Sequence, residues 1–238
     1  MRKTIAAAFA GIAMLAAAPA SAATLLLNTT NTSQNGGKVF TDGTVTARIT
    51  GWSINSSGTI RKGSVGTWSH GTGVTNAGGD NSHTVDNSGW TDFLILQFDQ
   101  SVSLTDGYFT TGWHYMHDTD ATIGYSDLAG PIGTDVPLAG LSASVLSAAN
   151  LYASGSVGLS GNSIRNINPE AFFANTWLIG ASFANPDGYA DGFKLKAVGY
   201  ELEAAVPEPA TWAMMLLGFF AVGGAMRSRS KRGVLAAA

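Results

Sequence analysis

Short apolar runs separated by polar, glycine-rich clusters make up most of the chain between residues 23 and 205. Residues 44–50 alternate polar and apolar side chains, which predicts a strand with one face buried. Residues 93–98 form an almost continuous apolar run, which predicts a strand buried on both faces. Two further strand candidates occupy residues 177–183 and 193–202. Because long helical periodicity is missing, the pattern predicts a mainly β domain built as an antiparallel sandwich.

Turn-forming residues separate these runs. Asn, Gly and Asp fill Asn76–Asn81, and Asn185–Gly188 contains the Asn-Pro and Asp-Gly pairs that favour turns. A hairpin connection is therefore expected between Asn185 and Gly192. Residues 137–149 favour a short helix.

The N-terminus has the order of features that is typical of a signal peptide. Two basic residues, an apolar stretch over residues 4–18 and small residues at Ala20 and Ala22 follow one another. This order predicts export by the Sec machinery and cleavage of residues 1–22, so that the mature chain begins at Ala23. The chain contains no cysteine, which excludes a lipoprotein anchor, disulfide bonds and a cysteine nucleophile.

The C-terminus combines a stiff motif, an apolar stretch and a basic end. The motif is Pro207-Glu208-Pro209, and residues 210–226 are uncharged and predict a membrane-spanning helix near the lower length limit. The basic end consists of Arg227, Arg229, Lys231 and Arg232. Because such residues stay cytoplasmic, the domain before the helix is expected outside the inner membrane.

Residues 206–219, which include Trp212 after the motif, resemble the PEP-CTERM sorting signal of Gram-negative bacteria. The resemblance implies processing by exosortase, an integral membrane protease, near Pro-Glu-Pro. It implies inner-membrane anchoring first and a surface or extracellular location afterwards. The expected organisation is an exported domain over residues 23–205, a sorting signal over 206–232 and a tail over 233–238. A plain C-terminal anchor is the alternative, but it leaves the stiff motif unexplained.

The exported segment is acidic. Between Ala23 and Ala205 there are 7 Lys and Arg and 15 Asp and Glu, a net charge of −8, compared with −3 for the whole chain. Nucleic acid is excluded as an expected partner because phosphate binding requires clustered basic residues. Calcium becomes a candidate ligand, since it prefers several oxygen donors.

An oxygen-rich stretch before residues 93–98 is the candidate calcium site. Its candidate ligands are Asp80, Asn81, Asp86, Asn87 and Asp92. Asp118 and Asp120 could add to such a site. The alternative is a turn in which these side chains bond their own backbone. The spacing does not match an EF-hand, and no other cofactor is expected.

Two further groups of residues suggest ligands. His114 and His117 would hold a transition metal only on a helix, whereas their surroundings predict a strand and a loop. Exposed tryptophans could stack on a surface polysaccharide, although tryptophan more often fills a core. The tryptophans concerned are Trp52, Trp68, Trp90, Trp113 and Trp177.

Short motifs also follow a fixed order along the middle of the chain. They are Gly73-Val74-Thr75-Asn76, His83–Asn87, Asp92–Asp99, Gly112-Trp113, Asp118-Thr119-Asp120, Trp177–Ala181 and Asp191–Leu195. This order resembles a family of exosortase-dependent surface proteins with PEP-CTERM tails, which implies a surface location; the family has no established activity that the resemblance could carry over. The pattern is also similar to galactose-binding-like jelly rolls, an analogy that concerns the fold alone.

The sequence offers no motif for catalysis. No Gly-x-Ser-x-Gly elbow, His-Glu-x-x-His motif, phosphate loop or dinucleotide fingerprint occurs. The predicted function is therefore an exported, non-catalytic surface or extracellular-matrix protein. A carbohydrate- or calcium-dependent binding module and a secreted hydrolase without a recognisable motif are the alternatives.

Overall fold

The computed structural model describes most of the exported segment and part of the C-terminal tail. The described residues are 22–28, 33–34, 36–79, 82–111, 118–127, 132–148, 150–154, 162–185, 187–203, 213–223 and 227. Contacts divide the chain into one compact unit within Met1–Glu203 and a second within Ala204–Ala238. The predicted signal peptide, apart from Ala22, lies outside the described residues. Of the sorting residues, only Arg227 and the helical segment 213–223 are described.

Fourteen strands and one 3-10 helix occur in the described part of the first unit. The strands are β1 (Ala23–Leu26), β2 (Ser33–Gln34), β3 (Gly37–Thr41), β4 (Thr46–Ile54), β5 (Ile60–Lys62), β6 (Ser64–Trp68), β7 (Gly71–Thr75), β8 (Val85–Asp86), β9 (Thr91–Thr110), β10 (Ala121–Ser126), β11 (Asn150–Ser154), β12 (Ser163–Asn166), β13 (Ala174–Ala181) and β14 (Gly192–Leu202). The 3-10 helix is Ala143–Ala148. The prediction of a mainly β, antiparallel domain is confirmed.

Strand β9 is the centre of the sheet. It is 20 residues long, and its first half pairs with β4 and β13, while its second half pairs with β14 and β12. The main path of the sheet runs β11-β10-β13-β9-β14-β7-β6. The apolar run at residues 93–98 is buried on both faces, as predicted, because strands flank it and apolar side chains cover both sides.

The prediction of one buried face for residues 44–50 is wrong. Thr44 is exposed and Thr46 is half-buried, but the next two polar positions, Arg48 and Thr50, are fully buried. Arg48 donates to Gln97 Oε1 at 3.2 Å and to Asp135 Oδ1 at 2.6 Å. The alternating pattern therefore indicated a strand but not the burial of its polar side. Arg48 can be buried there because Asp135, from the segment at 132–148, balances its charge.

Two groups of buried apolar residues form the core. The larger group includes Ile49, Leu96 and Trp177, and the smaller one includes Trp52, Phe93 and Leu178. Val136 and Leu146, from the segment at 132–148, also belong to the smaller group. The short helix predicted for residues 137–149 is present as the 3-10 helix Ala143–Ala148.

The two predicted turns are present, but the hairpin expected between Asn185 and Gly192 is wrong, because β13 and β14 pair with different halves of β9 and not with each other. Gly79 N donates to Asn76 O at 3.2 Å, and Gly188 N donates to Asn185 O at 3.3 Å. The second turn leads through Asp191 directly into β14, so it fixes where that strand begins.

Candidate functional site: a buried carboxylate cluster

Three aspartates meet where β10 and β14 begin. Asp118 and Asp120 immediately precede β10, and Asp191 immediately precedes β14. Asp118 and Asp191 form an isolated parallel bridge, and Gly192 N donates to Asp118 O at 2.9 Å. The backbone thus holds two segments that are distant in sequence side by side.

The three carboxylates converge inside the protein. One oxygen from each of Asp118, Asp120 and Asp191 lies within 4.8 Å of the others. The exposed fractions of these residues are only 3%, 8% and 1%. Oδ1 of Asp120 and Oδ1 of Asp191 are buried and accept no hydrogen bond. Like charges thus lie close together in a place that water does not reach, and this arrangement favours a bound cation or a bound proton.

Two neighbouring side chains extend this cluster. Asn87 donates from Nδ2 to Asp191 Oδ2 at 2.5 Å and accepts from Asp191 N at 2.8 Å. Asp187 adds a fourth carboxylate, whose charge raises the pKa of both Asp120 and Asp191. We call Asp118, Asp120, Asp187 and Asp191 the carboxylate cluster.

One cation faces the carboxylate cluster. Arg165 of β12 places Nη1 4.0 Å from Asp120 Oδ1, which is longer than a hydrogen bond. Its Nη2 donates to Thr119 O at 2.5 Å, and its guanidinium carbon lies 4.2 Å from the centre of the Phe109 ring. Burial lowers the pKa of Arg165 and the acidic neighbours raise it, with burial the larger effect.

Burial and mutual repulsion shift the cluster's titration. Burial, followed by the charges of Asp118 and Asp120, raises the pKa of Asp191 to about 7. Burial and the charge of Asp118 also raise the pKa of Asp120, against the lowering effect of Arg165. Both carboxylates therefore hold protons more readily than free aspartate does.

The predicted calcium stretch contributes only Asn87 to this site. Asp86 instead accepts hydrogen bonds from Ser82 Oγ at 2.6 Å and from Thr84 Oγ1 at 2.7 Å. It also accepts from the backbone N of Ser88 at 3.1 Å, and this local backbone bond matches the turn alternative. Asp92 is buried at the start of β9 and is not among the converging carboxylates. The other two predicted ligands, Asp80 and Asn81, lie outside the described residues.

Asp191 is the residue that the sequence did not indicate, because its segment was interpreted as a turn only. The sequence did indicate the other two, since Asp118 and Asp120 were candidate additions to a calcium site, and the structure brings their carboxylates together. Their meeting with Asp191 depends on tertiary structure.

The tryptophans do not form one exposed surface in the described part of the chain. Trp52 and Trp177 are core residues with exposed fractions of 1% and 0%. Trp68 is 36% exposed, but its ring stacks on His83 at 5.1 Å and lies 3.9 Å from Lys194 Nζ. Trp113 lies outside the described residues, as do His114 and His117, so the transition-metal hypothesis stays a prediction.

A cavity of about 260 Å³ lies between the sheet and the segment at 132–148. Its lining is mainly apolar and includes Ile95, Val136 and Leu178, with no histidine or carboxylate among the described residues that line it. The pair Ser69 Oγ and His70 Nδ1, 3.2 Å apart, belongs instead to an exposed turn between β6 and β7.

In the second unit, residues 213–223 are helical. Within the residues that the structure covers, no helix combines the length and the apolar character needed to cross a membrane. In comparisons with known proteins, no family model, curated protein or solved structure matches this chain.

Proposed function

We propose that this chain is an exported, non-catalytic surface or extracellular-matrix protein of a Gram-negative bacterium, delivered by its C-terminal sorting signal. One observation carries the proposal. Strand β1 begins at Ala23, the predicted first residue of the mature chain, and β14 ends at Leu202, shortly before the motif at 207–209. The paired strands that the structure describes thus use only residues between the two predicted processing sites.

The pairing of these two strands supports the proposal further. Strands β1 and β14 are antiparallel, with Ala23 opposite Tyr200 and Leu26 opposite Ala197. The start and the end of the folded segment therefore lie at the same end of one strand pair. Removal of both terminal segments would leave every pairing of the described strands intact. A domain that loses a signal peptide and later a sorting tail needs this property.

We infer a jelly-roll-like sandwich for the exported domain. The division of β9 between two sets of partners supports this arrangement, since a strand that changes sheets is a common corner in sandwiches.

Processing by exosortase is tested by replacing the Pro207-Glu208-Pro209 motif with three alanines in the natural host. We expect normal export and insertion but loss of processing, so that a longer, membrane-bound form accumulates on blots of fractionated cells. Pro169-Glu170, an exposed Pro-Glu pair in the folded unit, provides a matched control. Its replacement with alanines should leave processing unchanged. If the mature wild-type protein still carries Arg227–Arg232, the processing proposal is wrong and the tail is a plain anchor.

A further inference from the structure

We propose that Asp118, Asp120 and Asp191 form a calcium-binding site, with Asn87 orienting Asp191 and Asp187 as an additional carboxylate. The site is built entirely within the first unit, so this inference does not depend on the sorting proposal. Loss of a calcium response would leave the processing experiment unaffected.

The spacing of the oxygens fits calcium. Calcium–oxygen distances are about 2.3–2.6 Å, so two ligands on opposite sides of the ion are about 5 Å apart. One oxygen from each of the three aspartates lies within 4.8 Å of the others, which is inside that limit. Magnesium, with ligands at about 2.1 Å, requires a tighter octahedron and keeps several waters.

Unsatisfied buried oxygens are the second, independent observation. Asp120 is 8% exposed and Asp191 is 1% exposed, and Oδ1 of each is buried without a hydrogen-bond donor. Oδ2 of Asp187 is also buried without a hydrogen-bond donor. An ionised carboxylate that loses water without gaining a partner destabilises the folded state unless a cation neutralises it. A single ion at this point would satisfy several of these atoms together.

Arg165 does not replace such an ion. Its guanidinium carries one positive charge, whereas the cluster has four carboxylates. Its Nη1 lies 4.0 Å from Asp120 Oδ1, too far for a hydrogen bond. Its Nη2 hydrogen bond goes to Thr119 O instead. Because a fixed positive charge next to a cation site weakens binding, we expect a Kd of about 10⁻⁴–10⁻³ M, as in extracellular calcium modules.

The test uses the full-length chain, purified in detergent and treated with chelator. Calcium added at about a hundred times its Kd should raise the melting temperature by roughly 5–10 °C, and titration calorimetry should show one binding event. Magnesium at the same concentration should give a much smaller rise. An equal response to both ions, or no response to calcium, would overturn the proposal.

Three variants locate the site. Asp120→Asn and Asp191→Asn keep the side-chain shape but remove one charge each, so each should weaken calcium binding at least tenfold. Asp106→Asn makes the same chemical change at an exposed position of β9 and should bind calcium like the wild type. In chelator, the first two variants should melt at or above the wild-type temperature, because each relieves repulsion in the cluster.

This melting experiment in chelator also separates binding from folding. If either buried variant fails to fold, Asp187→Asn can be tested in its place, because this position is partly exposed. We expect it to weaken calcium binding as well. Unchanged calcium affinity in the folded variants would show that the ion binds elsewhere and would overturn the assignment.

Discussion

The side chain of Asn87 makes two hydrogen bonds to Asp191, which lies 104 residues further along the chain. The Asn87 amide donates to Asp191 Oδ2 at 2.5 Å, and Asp191 N donates to Asn87 Oδ1 at 2.8 Å. Asn87 Nδ2 also donates to Ser182 O at 3.3 Å. One side chain thus ties the segment after β8 to the start of β14 and to the end of β13.

Replacement of Asn87 with alanine removes these bonds and leaves buried groups of Asp191 without a partner. We expect the free energy of unfolding to fall by about 1–3 kcal/mol, since unsatisfied buried polar groups lose their full desolvation energy. Chemical denaturation measures this change. Asn162→Ala, at an exposed position, should stay within about 0.5 kcal/mol of the wild type. Equal stability of the Asn87 variant and the wild type would contradict a structural role for the pair.

The pKa of Asp191 predicts how stability depends on pH without bound metal. Its folded-state pKa, about 7, exceeds the ordinary value of 3.8, so the folded state binds an extra proton between these values. This proton stabilises the folded chain fully below about pH 4, and its contribution is lost as the pH rises to about 7.

The measurement compares unfolding free energies of the wild type and Asp191→Asn in chelator from pH 4 to 8. Because the titrating groups outside the cluster are common to both chains, the difference reports Asp191 together with the carboxylates that are coupled to it. The wild type should lose stability relative to the variant as the pH rises through this range. Parallel curves would mean that Asp191 titrates normally.

Arg48 depends on Asp135 for its charge balance. Burial raises the pKa of Asp135, but the hydrogen bonds and charges of Lys62 and Arg48 outweigh this effect, so the pKa is lowered. Asp135→Asn leaves the fully buried Arg48 without its carboxylate partner and should destabilise the fold by about 2–4 kcal/mol.

Lys62→Gln is the matched control for this ion pair. The Lys62 ammonium contacts the same carboxylate but its side chain is 35% exposed, so its loss should cost less than about 1 kcal/mol. Urea denaturation of both variants measures the two losses of unfolding free energy and shows whether they differ as expected. If both variants lose a similar free energy of unfolding, the burial of Arg48 does not determine how much this ion pair contributes to stability.

Local patterns predicted the strands but not the contacts between them. The apolar run in β9 is sufficient to predict a doubly buried strand, because its hydrophobic side chains leave no polar face. The alternation at residues 44–50 indicated a strand correctly but not its environment, since the burial of Arg48 requires Asp135 from a distant segment.

The sequence indicated Asp118 and Asp120 as candidate ligands but missed their meeting with Asp191 for the same reason. Asp191 looks like part of a turn in the sequence, and its approach to Asp118 is fixed by a bridge between segments far apart in the chain. Asp86 had the residue type of a calcium ligand but bonds to its own neighbours, Ser82 and Thr84. Composition can indicate oxygen-rich chemistry, whereas only tertiary structure determines which oxygens converge.

The basic end of the tail should control retention separately from processing. We expect that neutral replacements of Arg227, Arg229, Lys231 and Arg232 weaken retention in the inner membrane, because these charges resist translocation. Some chains would then pass through the membrane with the Pro-Glu-Pro motif uncut. Blots of fractionated cells should show a soluble band that is longer than the processed form.

The alanine variant of the motif should give an uncut band in the membrane fraction instead, so the two defects differ in both location and size. Lysine at all four basic positions is the control, since it keeps the charge and should restore wild-type retention. If the neutral variant is retained and processed normally, the apolar stretch alone holds the chain and the basic residues have no role in its orientation.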